Sequence, residues 1–86
     1  MDTLSDVRTL LLRHLPRGTD PETLVEGLHL GTGGAGLDSI AMVDLLLDCE
    51  QRFAITISEQ ILADGSFTLG ALVQAVRDRV AARHPG

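Results

Sequence analysis

Gly36-Leu37-Asp38-Ser39-Ile40-Ala41-Met42-Val43-Asp44-Leu45-Leu46-Leu47-Asp48-Cys49-Glu50-Gln51-Arg52-Phe53 is the stretch on which the fold turns. Its apolar residues predict a helix over 39–53. Met42, Leu45, Leu46, Cys49 and Phe53 recur at i, i+3, i+4, i+7 and i+11, one coherent face for a core. Ile40, Val43 and Leu47 form a second stripe, rotated from the first and interrupted by Asp44, Asp48 and Gln51. A small domain cannot bury both faces. The second stripe is therefore expected to stay partly exposed, and exposed apolar residues rimmed by acids mark an interaction surface. Full burial of Ile40, Val43 and Leu47 would contradict this. Ser39 falls where the glycine-rich run Gly31-Thr32-Gly33-Gly34-Ala35-Gly36 meets the helix start, beside the positive end of the helix dipole. Two readings of Ser39 stand open on these grounds. In one, the helix has an ordinary N-terminus, with Asp38 or Ser39 itself as a cap, in a small helical protein-interaction module. In the other, an exposed hydroxyl with free backbone N–H groups nearby is a point of attachment for a phosphate-linked group.

Upstream, Asp2 or Thr3 caps a first helix, expected over 3–15, whose face is Leu4, Val7, Leu11 and Leu15, widened by Leu10 and Leu12. Pro16 and Gly18 end it. Asp20-Pro21-Glu22 reads as a cap, a first-turn proline and a first-turn acid, so a brief helical turn is expected near 21–27. Leu28 and Leu30 alternate with His29 and Gly31, but no second strand pattern is evident, so the two leucines are expected to anchor a loop onto the core. The connection over 16–38 is long, and long connections are more often functional than accidental. Downstream, Ala54-Ile55-Thr56-Ile57 reads as an extended connector that buries Ile55 and Ile57. Ser58 caps a short helix expected over 58–63, stopped by Asp64-Gly65. Thr68 caps the last helix, expected over 68–83, with Leu69, Leu72, Val73, Val76 and Val80 inward and Arg77, Arg79 and Arg83 favouring its C-terminal dipole. Pro85-Gly86 forms a tail. These elements predict an all-α small helical bundle in a single domain over 1–86.

The chain of 86 residues has only two aromatic residues, Phe53 and Phe67, so its core must be aliphatic. A domain of this length has little room for a deep cleft, which argues against an autonomous enzyme. The net charge of −5 centres on residues 38–64, where six acids meet one base. That acidic field excludes a nucleic-acid footprint and favours partners with basic surfaces. The one cysteine excludes an internal disulfide and fits a reducing, cytoplasmic setting. No signal-peptide pattern and no membrane-spanning apolar run are visible.

Several chemical readings fail on spacing. Gly31, Gly33 and Gly36 match G-x-G-x-x-G, but a dinucleotide site needs a βαβ unit that this chain is too short to build. The run is read instead as flexible slack whose glycines allow positive φ. A hydrolase elbow would need glycine at positions 37 and 41, where Leu37 and Ala41 stand. His14, His29 and His84 are scattered, without triad or metal-ligand spacing, and are expected to face solvent. Cys49 lies on the core stripe and is expected to be a buried structural thiol. No catalytic residue and no metal site is assigned.

In full context the stretch is similar to a known one. Gly36-Leu37-Asp38-Ser39-Ile40, an amphipathic helix with Asp44 and Phe53, the exit Phe53-Ala54-Ile55-Thr56-Ile57 and the later Phe67-Thr68-Leu69-Gly70-Ala71-Leu72 together resemble the acyl carrier proteins. The resemblance covers nearly the whole chain. It implies a monomeric four-helix carrier that is not an enzyme, with a long first loop and Ser39 bearing 4′-phosphopantetheine drawn from coenzyme A by a phosphopantetheinyl transferase. Asp38 would help position that serine. Ile40, Val43, Asp44 and Leu47 would face partners, namely an acyl- or aminoacyl-loading enzyme and synthase or transferase domains. Ile40 in place of the commoner leucine, Ala41 where primary fatty acid carriers often have an acid, and Arg52 late in the helix make the resemblance closer to stand-alone carriers of polyketide or nonribosomal type. The cargo, whether acyl, malonyl-type or aminoacyl, is left open.

Overall fold

The computed structural model describes residues 2–63 and 67–83. Three α-helices carry the architecture: α1 (Thr3–Leu12), α2 (Ser39–Phe53) and α3 (Leu69–Arg83). Two short 3₁₀ turns, Pro21–Thr23 and Glu59–Leu62, interrupt the connections. The described residues contain no strand, so the all-helical class holds, but with three α-helices where four helices were expected. The segment expected to be a helix over 58–63 is a single 3₁₀ turn, capped by Ser58 Oγ accepting from Gln60 N at 3.2 Å. Four residues with Ile61 and Leu62 only half-buried gain too little from packing to repay helix nucleation. Asp64 and Gly65, expected to stop this segment, lie outside the described residues, as do His84 and the tail Pro85-Gly86.

The first helix is also shorter than its apolar pattern suggests. Asp2 caps it through Leu4 N at 3.1 Å. Beyond Leu12 the chain tightens into i→i−3 bonds, with Arg13, His14 and Leu15 N donating to Leu10, Leu11 and Leu12 O. Pro16 disfavours the α conformation at Leu15, so the last turn closes early. The turn expected near 21–27 is confined to Pro21–Thr23, capped by Asp20 accepting from Glu22 N at 2.9 Å.

The core joins all three helices and includes Val7, Leu11, Leu45, Cys49, Leu72 and Val76, each fully buried. The predicted inner stripe of α2 is seated there at Leu45, Leu46 and Cys49, with Met42 and Phe53 half-buried at its ends. Ile55 and Ile57 are buried as expected, whereas Val80 is only half-buried. Helices α1 and α2 run antiparallel, with Asp6 meeting Arg52 at 3.4 Å and His14 meeting Asp48 at 2.8 Å. His14 therefore faces α2, its side chain 17% exposed, and not solvent. His29 is exposed as expected.

The exit from α2 is held by one residue. Glu50 O accepts from Ala54 N and from Ile55 N, and Glu50 Oε2 accepts from Ile57 N at 2.8 Å. This turn puts Ala54 at φ 54° and ψ 50°, the left-handed conformation that costs an L residue roughly 1–2 kcal/mol. Ala54→Gly is therefore expected to stabilise the fold by about 0.5–1 kcal/mol, the strain relief outweighing the added flexibility of the unfolded chain. Urea denaturation checks this, and a lowered midpoint would contradict it.

The long connection is fastened near its middle to both α1 and α3. Arg8 Nε donates to Leu24 O at 2.7 Å, and Gly70 N donates to Glu26 O at 2.8 Å. Leu24, Leu30 and Leu37 are all buried. Only Leu30 was expected as an anchor. Leu28, its expected companion, is half-buried. A partner for the Leu28–Leu30 alternation does exist. His29 forms an isolated antiparallel bridge with Thr68, through Leu30 N to Phe67 O at 3.1 Å and Leu69 N to Leu28 O at 2.9 Å. The loop is thus tied to the start of α3.

Candidate functional site

The glycine run is a folded turn and not slack. Gly34 N and Gly36 N both donate to Gly31 O, Ala35 N donates to His29 O at 2.7 Å, and Leu37 N donates to Leu30 O at 2.9 Å. Gly36 takes φ 82°, which turns the chain toward α2. Gly34 packs against the His29 backbone so closely that a Cβ there would lie 2.0 Å from His29 O. The positive φ expected of these glycines is present at Gly33 and Gly36, but the bonds fix the loop that leads into the helix.

At the end of that loop Leu37 is buried while Asp38, Ser39 and Ile40 are exposed. Leu37 thereby pins the chain to the core one step before the helix begins. Asp38 is the N-cap, with its Oδ1 accepting from Ala41 N at 2.8 Å and its backbone carbonyl accepting from Met42 N at 2.9 Å. Ser39 is the first residue of the helix proper. Capping therefore falls to Asp38, and the Ser39 hydroxyl stands at the surface. The first-turn N–H groups of Ser39 and Ile40 have no i−4 carbonyl within α2 to bond. They face the same end of the molecule, and no acid lies in the first turn. Fifteen aligned peptide units add the positive end of the helix dipole. An anionic group linked to Ser39 Oγ fits this environment.

The second stripe of α2 behaves as its spacing predicts. Ile40 is 75% and Leu47 47% exposed, and Val43 is half-buried. Asp44 is exposed between them, one helical turn from both Ile40 and Leu47. The other acids of the helix are turned to internal work, Asp48 toward His14 and Glu50 toward Ile57 N. Arg52 is likewise engaged, by Asp6 and by the Phe53 ring at 5.5 Å from its centroid. The exposed patch that runs from Ser39 is thus Ile40, Val43, Asp44 and Leu47, with one carboxylate at its middle.

A family model described as the phosphopantetheine attachment site matches residues 33–76. The match covers just over half of the chain. The chain belongs to this family. No curated protein matches it. Members are carriers, not catalysts: they bear 4′-phosphopantetheine as a covalent group and work with a phosphopantetheinyl transferase and with synthase partners. The matched segment begins inside the glycine turn, runs through Ser39 and the whole of α2, and ends within α3.

Other candidate chemistry does not assemble. Among the described residues no three His, Cys, Asp or Glu side chains converge as a metal site, and no helix is long and apolar enough to cross a membrane. Cys49 is fully buried. Burial, reinforced by the charges of Asp48 and Glu50, pushes its thiol up from 9.0 to about 12. A folded-state pKa above the unfolded one means stability is complete below 9.0 and is lost as pH rises from there through about 12. The sequence contains neither lysine nor tyrosine, so Cys49 is the one side chain whose ionisation falls in that window. Stability is expected to decline above pH 9 with the slope of a single proton, and Cys49→Ala to flatten it. Urea midpoints across that pH range check this. An equal decline in the variant would contradict it.

Proposed function

We propose that Ser39 bears the 4′-phosphopantetheine, and that the chain tethers an acyl or aminoacyl group and presents it to partner enzymes of polyketide or nonribosomal secondary metabolism. The observation that carries this reading is the division of labour at the start of α2. Asp38 satisfies the helix end, which leaves the neighbouring serine exposed and uncommitted within the matched segment. When bound, the arm supplies a terminal thiol that holds a carboxyl carbon as an activated thioester. The chain does the rest. Ser39 Oγ provides the oxygen of the phosphodiester, the N–H groups of Ser39 and Ile40 face the negative charge, and Asp38 positions Ser39 by fixing where the helix begins.

In this reading residues 1–86 form a single carrier domain, and the 3₁₀ turn Glu59–Leu62 occupies the place of the fourth helix. Ile40, Val43, Asp44 and Leu47 form the surface that partners dock on: the transferase, an acyl- or aminoacyl-loading enzyme, and synthase or transferase domains. Of the three departures from fatty acid carriers, Ile40 is the mildest, Ala41 lies in the first turn of α2 two residues after Ser39, and Arg52 is occupied by Asp6. Ala41 therefore bears the greatest weight in favour of a secondary-metabolic carrier.

Incubation with coenzyme A and a broad-specificity transferase is expected to add one phosphopantetheine mass, and an unchanged mass would sink the reading. For docking, Leu47→Asp and Asp44→Lys are expected to lower kcat/KM with cognate partners about tenfold, the loss of roughly 1.4 kcal/mol typical of an interface anchor. Both side chains are exposed, so circular dichroism should show the fold intact. Unaltered kcat/KM with every cognate partner would remove the docking assignment.

A further inference from the structure

We propose that the folded chain shields activated acyl groups from capture by lysine and cysteine side chains, presenting no side-chain amine and sealing its one thiol inside the three-helix core, so that a thioester it carries meets no side-chain amine and no accessible cysteine within residues 1–86. This inference rests on the carrier reading of Ser39. All seven basic residues are arginine, whose guanidinium stays protonated and does not act as an acyl acceptor. Cys49 is fully buried beside Leu45 and Leu46 at the junction of the helices.

Both closed routes are chemically simple. A side-chain amine would attack the thioester carbonyl. A C–N bond would form, the C–S bond would break, the released sulfur would take the amine's proton, and the amide would trap the cargo irreversibly. An exposed cysteine would do the same through sulfur. A new C–S bond would replace the old one, the carrier thiol would leave with the proton, and no net oxidation would occur. That exchange is governed by access and thiolate fraction. A tethered acyl group sits at an effective concentration of roughly millimolar or more toward groups on its own chain, so intramolecular capture is the principal hazard. Composition removes the first route and the fold removes the second. The cargo class that gains most comprises strongly electrophilic thioesters, including aminoacyl and β-carbonyl acyl groups.

The test has two arms. In the first, the apo chain meets the acetyl thioester of N-acetylcysteamine at pH 8, native and in urea, and acetylated residues are mapped by mass spectrometry. No amine or thiol side chain should be acetylated in the native chain. In urea Cys49 should be acetylated at least about a hundredfold faster, since reaction in the native state requires opening of the core. Native acetylation of Cys49 within threefold of the urea rate would overturn the inference. In the second, the phosphopantetheinylated chain is charged with an acetyl group. The wild type should keep it on the arm, whereas Thr32→Cys, at an exposed position of the glycine turn, should transfer it to residue 32. Retention by Thr32→Cys equal to wild type would also overturn it. The first arm needs no modified serine. Failure of the Ser39 reading would appear separately, as no phosphopantetheine mass gained in the second.

Discussion

Ser39→Ala is expected to abolish phosphopantetheine uptake completely while leaving the fold intact. The serine is exposed and the capping contact belongs to Asp38, so removal of Oγ leaves no buried partner unsatisfied. Alanine is also the best helix former and sits here at the first helical position. The thermal midpoint should therefore stay within a degree or two of wild type, about 0.3 kcal/mol on the scale for a domain of this size. The modification has no substitute oxygen in the same place. Intact-mass measurement after treatment with transferase and coenzyme A separates the outcomes, because loss of function without loss of stability is a signature that a structural serine does not give. Retained uptake by the variant would mean that another hydroxyl carries the group.

Gly34→Ala is expected to have the largest effect on stability of any single-methyl change in the loop. The added Cβ would lie 2.0 Å from His29 O and 2.7 Å from the carbonyl carbon, and both are backbone atoms. His29 cannot retreat freely, because it is bridged to Thr68 and its carbonyl accepts from Ala35 N. The turn must open, with loss of its bonds and of the seating of Leu30 and Leu37. A cost of about 2–3 kcal/mol follows from overpacking against a fixed backbone, or roughly 10–20 °C in thermal midpoint. Gly33→Ala is the control. Gly33 has φ 93° but open space around it, so only left-handed strain of ~1 kcal/mol is at stake. Equal effects at the two positions would contradict the packing account. Because the turn leads into Asp38, Gly34→Ala should also slow modification of Ser39.

Much of this was legible in the sequence because it rests on periodicity. The inner stripe of α2, the partly exposed stripe of Ile40, Val43 and Leu47, the burial of Cys49 and the Thr68 cap, whose Oγ1 accepts from Ala71 N at 3.1 Å, all follow from local spacing, and the caps at Asp2 and Asp38 are each one of two readings that spacing left open. What escaped depends on particular partners that no periodic spacing marks. His14 looked like a lone solvent-facing histidine because Asp48, which it meets, lies on another helix. The glycine run looked like slack because its bonds go back to His29, Leu30 and Gly31, and because Gly34 is required by contact and not by φ. The bridge to Thr68 left one faint signal, the apolar-polar-apolar alternation shared by Leu28-His29-Leu30 and Phe67-Thr68-Leu69. Two stretches of three residues are too short for a strand pattern. Leu24 and Leu37, both buried, sit in an irregular connection where no period exists to mark them. The fourth helix failed for a quantitative reason, since the segment at Glu59–Leu62 is too short to progress past one 3₁₀ turn.

The attachment residue itself is open to direct observation. After treatment with transferase and coenzyme A, cleavage at arginine isolates residues 18–52, whose only hydroxyl side chains are Thr19, Thr23, Thr32 and Ser39. Fragmentation of that peptide by mass spectrometry should place a single phosphopantetheine on Ser39. Its location on Thr32, or in any other peptide of the chain, would contradict the assignment of Ser39 as the tether point.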